Sequence, residues 1–130
     1  MPAALPDSHR DLLEAPGVAV LSTLGPDGWP QSTAVWYLLD GDVVRLSLST
    51  GRQKYRNVMR HPHATLFLLD PANPYRTLEI RADVTVNDDP GLTLMERVVT
   101  RYGMQLSDFE GQLEGRVAVT LTPHHVVASG

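Results

Sequence analysis

Strict alternation of apolar and polar residues over ten positions is the feature of this sequence that most constrains its fold. From Thr77 to Val86 every second residue is apolar, beginning with Leu78 and Ile80. Successive side chains of a β-strand point to opposite faces, so this run predicts a strand with one buried face and one solvated face.

The spacing of the remaining segments predicts antiparallel pairing. The first three strands, at 17–24, 31–39 and 43–49, are joined by a Gly-Pro-Asp-Gly turn and by Asp40-Gly41, which suits a tight hairpin. No room is left between them for a crossover helix, which disfavours a parallel sheet. Two further strands are predicted, at 64–69 and at 115–122 with a continuation at 126–127.

Three short helices accompany the strands. The first runs to Glu14 from a cap at Asp7 or Ser8, where Asp11 completes a capping box with Ser8. The second covers 51–61, and the third covers 90–102 with Asp89 as its cap. A loop is predicted at 71–74 and a polar loop at 104–114. Six strands and two or three short helices predict a mainly β fold, an antiparallel barrel or strongly curved sheet whose ends the helices plug.

Composition narrows the class of protein. A length of 130 residues predicts one domain, 1–130. The 11 basic residues against 15 acidic ones give a net charge of −4, which argues against a nucleic-acid partner. The absence of cysteine excludes disulfides, thiolate metal sites and cysteine nucleophiles. Without a secretory leader or a bilayer-length apolar stretch, we expect no membrane association and a cytoplasmic location.

The distribution of charge points to an anion site. No acidic residue lies between Asp42 and Asp70, yet that stretch holds five of the eleven basic residues. Arg52 and Lys54 fall in the first turn of the predicted helix, where the macrodipole already presents positive charge. Free backbone N–H groups beside such cations form a phosphate site, approached here through 49–51. The alternative is that these bases form a solvated helix face.

Other candidate sites are weaker. The histidines of 61–63 lack a third ligand for a metal, and His124 and His125 point to opposite faces of a strand, so no metal site is assigned. Trp29, Trp36 and Tyr75 could stack on a flat ring, although Trp36 suits a protein core equally well. Neither a Ser-His-Asp arrangement nor a nucleotide fingerprint is visible, and the catalytic residues stay unknown.

Three stretches together carry a resemblance to a known family. They are the hairpin GPDGWPQSTAVWYLLDGD, the helix start TGRQKYRN and the segment DPANPYRTLEIR. From about residue 13 to residue 127 the chain resembles the pyridoxamine-5′-phosphate-oxidase-like superfamily, and within it the flavin/deazaflavin oxidoreductases that use coenzyme F420. The resemblance implies an antiparallel split β-barrel of the FMN-binding type, assembled as a homodimer with two cofactor sites at the subunit interface.

The resemblance also implies where the cofactor lies. Its phosphate would be held at the start of the second helix, and its ring would lie along the second strand, contacted largely by backbone groups. The other subunit would supply the loop that carries Tyr75 and Arg76. The implied cofactor-binding residues are Gln31, Ser32, Thr33, Ala34, Val35, Ser49, Thr50, Arg52, Gln53, Lys54, Asn57, Tyr75 and Arg76.

The implied activity is hydride transfer from reduced F420 to an unsaturated small-molecule acceptor. An FMN-dependent oxidoreductase is the main alternative, because the same phosphate residues serve FMN. A non-catalytic carrier of cofactor, haem or tetrapyrrole is a third possibility, while an oligonucleotide-binding barrel conflicts with the acidic charge. A homodimer also follows from size, because a chain this short has few residues for a lid that shields a cofactor from water.

Overall fold

The computed structural model describes residues 2–130. Within that range seven antiparallel strands form one sheet in the order β2-β1-β5-β6-β7-β4-β3. The strands are β1 (Ala19–Leu24), β2 (Pro30–Val35), β3 (Leu38–Asp40), β4 (Val43–Ser49), β5 (His63–Asp70), β6 (Asn73–Asp88) and β7 (Arg116–Ser129). The helices are α1 (Arg10–Glu14), α2 (Gln53–Arg60) and α3 (Thr93–Arg101), with 3₁₀ turns at Asp7–His9, Pro90–Leu92 and Leu106–Asp108.

The sheet curls around the larger of two apolar core clusters. In β6 the alternating residues Leu78 and Ile80 are fully buried, which confirms the strand predicted from the alternation. Strand β2 is at one edge of the sheet, and β4 is next to the other edge. Val35 of β2 and Leu46 of β4 nevertheless pack in the same apolar cluster. Strands that far apart reach one core only if the sheet bends.

None of the helices in 2–130 is long and apolar enough to cross a membrane.

The predicted strand at 31–39 is wrong in one respect, because it breaks at Trp36-Tyr37. The first half, β2, pairs with β1, and the second half, β3, pairs with β4 at the other edge of the sheet. The break is fixed by its own aromatic residues. Tyr37 is buried and its hydroxyl donates to the Leu12 carbonyl at 2.8 Å, while Trp36 stacks on Tyr102 with ring centroids 4.3 Å apart.

The predicted loop at 71–74 shrinks to a tight turn, so Tyr75 and Arg76 lie on β6 and not in a loop. Side chains accept hydrogen bonds from the turn's backbone and close it. Asp70 accepts from the Ala72 N–H at 2.8 Å, and Asn73 accepts from the Tyr75 N–H at 3.2 Å. These local side-chain bonds take the place of backbone hydrogen bonds between β5 and β6 at the turn, so the two strands are joined without a longer loop.

Two helix starts also differ from the prediction. Ser8 does not form the capping box, because its hydroxyl bonds to His9 Nδ1 at 2.8 Å. The third helix begins at Thr93, after a 3₁₀ turn in which Gly91 has φ 71°. Asp89 nevertheless caps it, accepting from the backbone N–H groups of Leu94 and Met95 at 2.9 and 3.0 Å.

A buried amide fixes α2 against β1 and β2. The Asn57 side chain is 1% exposed. Its Nδ2 donates to Thr23 Oγ1 at 3.0 Å and to Gln31 Oε1 at 3.2 Å, and its Oδ1 accepts from Gln53 Nε2 at 2.8 Å. Lys54 Nζ adds a bond to Thr33 Oγ1 at 3.2 Å. The start of α2 is therefore held at a defined place beside β2.

We expect Asn57→Ala to lower the free energy of unfolding by about 3 kcal/mol, because it leaves buried partners without hydrogen bonds. Urea denaturation measures the change. Asn87→Ala, at an exposed position of β6, is the matched control and should change stability by less than about 0.5 kcal/mol. Equal losses in the two variants would contradict the role given to the buried amide.

Candidate functional site

A cavity of about 440 Å³ lies between β4, α3, the start of α2 and the loop at 104–114. Strand register divides its wall into two parts. Ser49 pairs with Arg116 near the start of α2, whereas Ser47 pairs with Ala118, which packs with Trp36 and Val98 in an apolar cluster. The cavity therefore has a cationic part and an apolar part.

Three cations line the cationic part: Arg52, Lys54 and Arg116. No carboxylate side chain is among the lining residues, all of which belong to the described chain. Burial lowers the pKa of Lys54, and the neighbouring charges of Arg52 and Arg116 lower it further. Burial and the charge of Arg52 likewise lower the pKa of Arg116. Cations that repel each other in a shared cavity are stabilised by a bound anion.

Arg116 is a site residue that the sequence did not predict. Its Nε donates to the Gln112 carbonyl at 2.8 Å, and its Nη1 lies 3.4 Å from the Ser47 carbonyl. The guanidinium carbon lies 5.2 Å from the centroid of the Phe109 ring. These contacts orient the guanidinium along the cavity wall. The one signal in the sequence is a basic residue at the start of the last strand, and only the pairing of β4 with β7 brings it to Ser49.

The junction between β4 and α2 is held in place by Gly115, the residue just before β7. The Thr50 N–H donates to the Gly115 carbonyl at 2.9 Å. Gly115 has φ 70°, and a Cβ placed on it would lie 2.5 Å from Thr50 Oγ1, so only glycine fits this position. Arg52 is the residue before the helix, which begins at Gln53 and not at Gly51, and no side chain caps it. The first backbone N–H groups of α2 therefore have no side-chain acceptor.

The structure brings part of the predicted site together. Five predicted residues line the cavity: Ala34, Val35, Ser49, Arg52 and Lys54. Other predicted residues hold α2 in place beside β2. Gln31, Gln53 and Asn57 form the buried amide network, and Thr33 accepts a hydrogen bond from Lys54. Ser32 is exposed and bonds to Ser22 at 2.8 Å.

Tyr75 and Arg76 do not line this cavity within their own chain. Arg76 is held by Asp11 and by Asp70 Oδ2, the latter at 3.1 Å. These carboxylates raise the pKa of Arg76, and the guanidinium in turn lowers the pKa of Asp11. Tyr75 is 84% exposed. A role for either residue at a cofactor requires a second subunit and stays a prediction.

The solvated-face interpretation applies to the rest of the basic cluster. Arg56 donates to Gln53 Oε1 at 2.8 Å and is exposed, as is Arg60, and neither lines the cavity.

Elsewhere, His63 Nδ1 and His124 Nδ1 lie 3.1 and 3.8 Å from the two oxygens of Asp83. Across 2–130, no group of three potential ligands is arranged to hold a metal ion.

We expect sulfate affinity to fall as the pH rises through the lowered pKa of Lys54, because only the ammonium form attracts the anion. The fall should be about tenfold and should begin below the range in which an ordinary lysine titrates. Calorimetric titration across the alkaline range measures it. Lys54→Arg keeps its charge there and should bind sulfate independently of pH; identical pH profiles for the two proteins would remove Lys54 from the anion site.

The fold has counterparts in solved structures. An F420 reductase is 36% identical to this chain, with a TM-score of 0.85 over 95% of this chain and 98% of that one. General stress protein 26 from Bacillus anthracis, at 14% identity, has a TM-score of 0.72 over 92% and 89% of the two chains. HutZ, the haem storage protein from Vibrio cholerae, at 15% identity, has a TM-score of 0.71 over 98% and 96%. The last two show the fold alone, an antiparallel split β-barrel.

A family model gives the wider assignment. The model for pyridoxamine 5′-phosphate oxidase matches residues 5–129, nearly the whole chain. A search among curated protein sequences finds no match. The matched length, together with the identity to the F420 reductase, shows that the chain belongs to the pyridoxamine 5′-phosphate oxidase family.

Proposed function

We propose that this protein is an oxidoreductase that uses coenzyme F420 to reduce an unsaturated small molecule by hydride transfer. The observation that carries the proposal is the cavity with three cations, no lining carboxylate and an adjoining apolar wall. An F420 reductase at 36% identity over nearly the full length of both chains supports it. The donor set fits a phosphorylated cofactor with a flat ring, because the cations at one end would attract an anion and the apolar wall would pack on a ring.

Each part of the cavity has a role in this proposal. Arg52, Lys54 and Arg116 would hold the phosphoryl group, with Ser49 beside them. Ala34 and Val35 on β2 would contact the ring. When bound, the deazaflavin supplies a hydride donor, which side chains alone lack. The protein's work is to orient the reactants and to exclude water from the cavity.

FMN is the alternative cofactor, since the same three cations would bind its phosphate equally well. A carrier function is a further alternative, and HutZ shows that this fold occurs in a haem storage protein. The cations do not separate these possibilities. Direct titration with each cofactor does.

We also propose that the protein is a homodimer that uses the outer face of the sheet. A row of paired residues crosses five strands there: Ala34, Val20, Phe67, Glu79 and Val127. All but one are apolar, and Val20 and Val127 are 38% and 39% exposed. An exposed apolar row of this kind is typical of an interaction surface. Ala34 also lines the cavity, so a second copy on this row would lie beside its opening.

We expect the protein to quench F420 fluorescence with saturable binding, and Arg52→Ala/Lys54→Ala to weaken that binding about 100-fold, because two charge-assisted hydrogen bonds are lost. The control is Arg10→Ala/Arg97→Ala, which removes the same charge from partly exposed positions outside the cavity. Its affinity should stay within about threefold of the wild type.

Three results would change the proposal. Unchanged F420 affinity in the Arg52/Lys54 double variant would remove the phosphate assignment. Binding of FMN without F420 would replace the deazaflavin by the flavin. Tight cofactor binding with no oxidation of reduced F420 by enones or quinones would make the protein a carrier.

We expect the wild type to sediment at twice the chain mass of 14.3 kDa and Val20→Asp to sediment as a monomer, because a charge in the apolar row opposes its burial. Analytical ultracentrifugation measures both. Thr85→Asp, at an exposed β6 position outside the row, should remain a dimer. A wild-type monomer that binds cofactor would show that the site is complete in one chain.

A further inference from the structure

Lys54 is the only lysine of the chain, and it lies on the cavity wall among other cations. Its Nζ donates to Thr33 Oγ1 at 3.2 Å. The other cations of the wall are the guanidinium groups of Arg52 and Arg116. No carboxylate of the described chain lines the cavity, so the amine has no acidic partner there. The surroundings of Lys54 therefore differ from those of a lysine on an open surface.

These surroundings favour the neutral amine of Lys54. Burial lowers the pKa of this group, and the charges of Arg52 and Arg116 lower it further. The neutral form carries a lone pair and is the nucleophile in lysine chemistry. It also keeps N–H groups that can donate to Thr33, so the hydrogen bond that positions Nζ does not consume the lone pair.

The two guanidinium groups select the kind of electrophile. They line the same cavity as Lys54, and both act on its charge, so a phosphoryl group bound to them lies close to Nζ. Arg116 is oriented by the Gln112 carbonyl and the Phe109 ring. A molecule with a phosphoryl group next to its reactive carbon is thus brought to the amine. Acyl phosphates have that structure, because one oxygen joins the acyl carbon to phosphorus.

We propose that Lys54 is a site of covalent acylation by small acyl phosphates, which Arg52 and Arg116 bind through the phosphoryl group. A cavity of about 440 Å³ has room for a molecule as small as acetyl phosphate. The acylation itself requires no cofactor and no second protein. It is therefore a reactivity of this chain beyond the proposed hydride transfer, at the cationic part of the same cavity.

The reaction is an acyl transfer in which nothing is oxidised or reduced. The lone pair of Nζ attacks the acyl carbon, and the bond from that carbon to the bridging oxygen breaks. Inorganic phosphate leaves with the electron pair, the amine loses a proton to water, and an amide remains on Lys54. Arg52 and Arg116 stabilise the negative charge that gathers on the departing phosphate. Holding both reactants in one cavity lowers the barrier further.

Acylation would switch off the cofactor site, and this consequence rests on the proposed function. An acylated lysine has no positive charge, so one of the three cations that would hold the cofactor's phosphate is lost. The cofactor and the acyl phosphate also compete, because both place a phosphoryl group on the same guanidinium groups. A bound cofactor should therefore protect Lys54 from acylation.

The rate of acetylation by acetyl phosphate gives the first test. The control, Lys54→Arg/Arg60→Lys, moves the one lysine to an exposed position outside the cavity and keeps the total charge. We expect Lys54 of the wild type to react at least about tenfold faster at neutral pH than the introduced lysine of the control. Peptide mass spectrometry measures both rates and separates them from reaction at the N-terminal amine. Equal rates, or no acetyl group on Lys54, would overturn the proposal.

A neutral acyl donor separates phosphoryl binding from reactivity of the amine alone. Arg52→Gln changes an exposed side chain and lowers the charge beside Lys54, which affects the amine towards any donor. We therefore compare acetyl phosphate with p-nitrophenyl acetate, which has no phosphoryl group. The ratio of the two rates should fall about tenfold in Arg52→Gln. An unchanged ratio would overturn the role of Arg52 in binding the acyl phosphate.

F420 titration after acetylation distinguishes this inference from the proposed function. We expect the acetylated wild type to bind F420 about tenfold more weakly, and Lys54→Arg treated in the same way to keep its affinity. Rapid acetylation of Lys54 in a protein that binds no F420 would refute the proposed cofactor and leave the acylation site standing. A protein that binds F420 but reacts at Lys54 no faster than the control would refute the acylation site alone.

Discussion

The buried side-chain amide of Asn57 is the interaction on which the geometry of the cavity depends. Two of its hydrogen bonds join α2 to β1 and β2, a third is made to Gln53 within α2, and all three partners are side chains. Side-chain bonds of this kind specify one arrangement, because a shift of the helix by one residue would leave buried polar groups unpaired. The cations at the start of α2 repel each other, and this framework holds them together without a counter-charge from the protein.

A second framework closes the other side of the barrel. Arg101 on α3 donates to the carbonyls of Leu13, Glu14 and Ala15, which are the free carbonyls at the end of α1. The Tyr102 hydroxyl donates to the Gly17 carbonyl at 2.6 Å. Together they tie the first helix to the third across most of the chain length. Met95 and Val98 of α3 line the cavity, so these bonds anchor the helix that forms part of its apolar wall.

Local patterns in the sequence predicted much of this structure, and non-local pairing accounts for what they missed. The β6 strand and the Asp89 cap follow from alternation and spacing within a few residues. Arg116 joins the cavity only through the register of β4 with β7, which a single sequence does not contain. The break at Trp36-Tyr37 likewise depends on a partner far along the chain. For Arg76 the resemblance implied a place at the cofactor site of the other subunit. In the structure its guanidinium pairs with Asp11 and Asp70 of the same chain.

The period of two in a β-strand separates fold from chemistry within β4. Val44 and Leu46 face the core and are fully buried, while the alternate residues Ser47 and Ser49 face the cavity. A change at Ser47 or Ser49 alters the cavity wall and leaves the buried side chains of Val44 and Leu46 in place. The core side tolerates little change, since lost methylenes there leave cavities. This division gives a physical reason why one barrel occurs in an F420 reductase and in a haem storage protein, and why ligand specificity is to be sought on the outward residues of the strands that line the cavity.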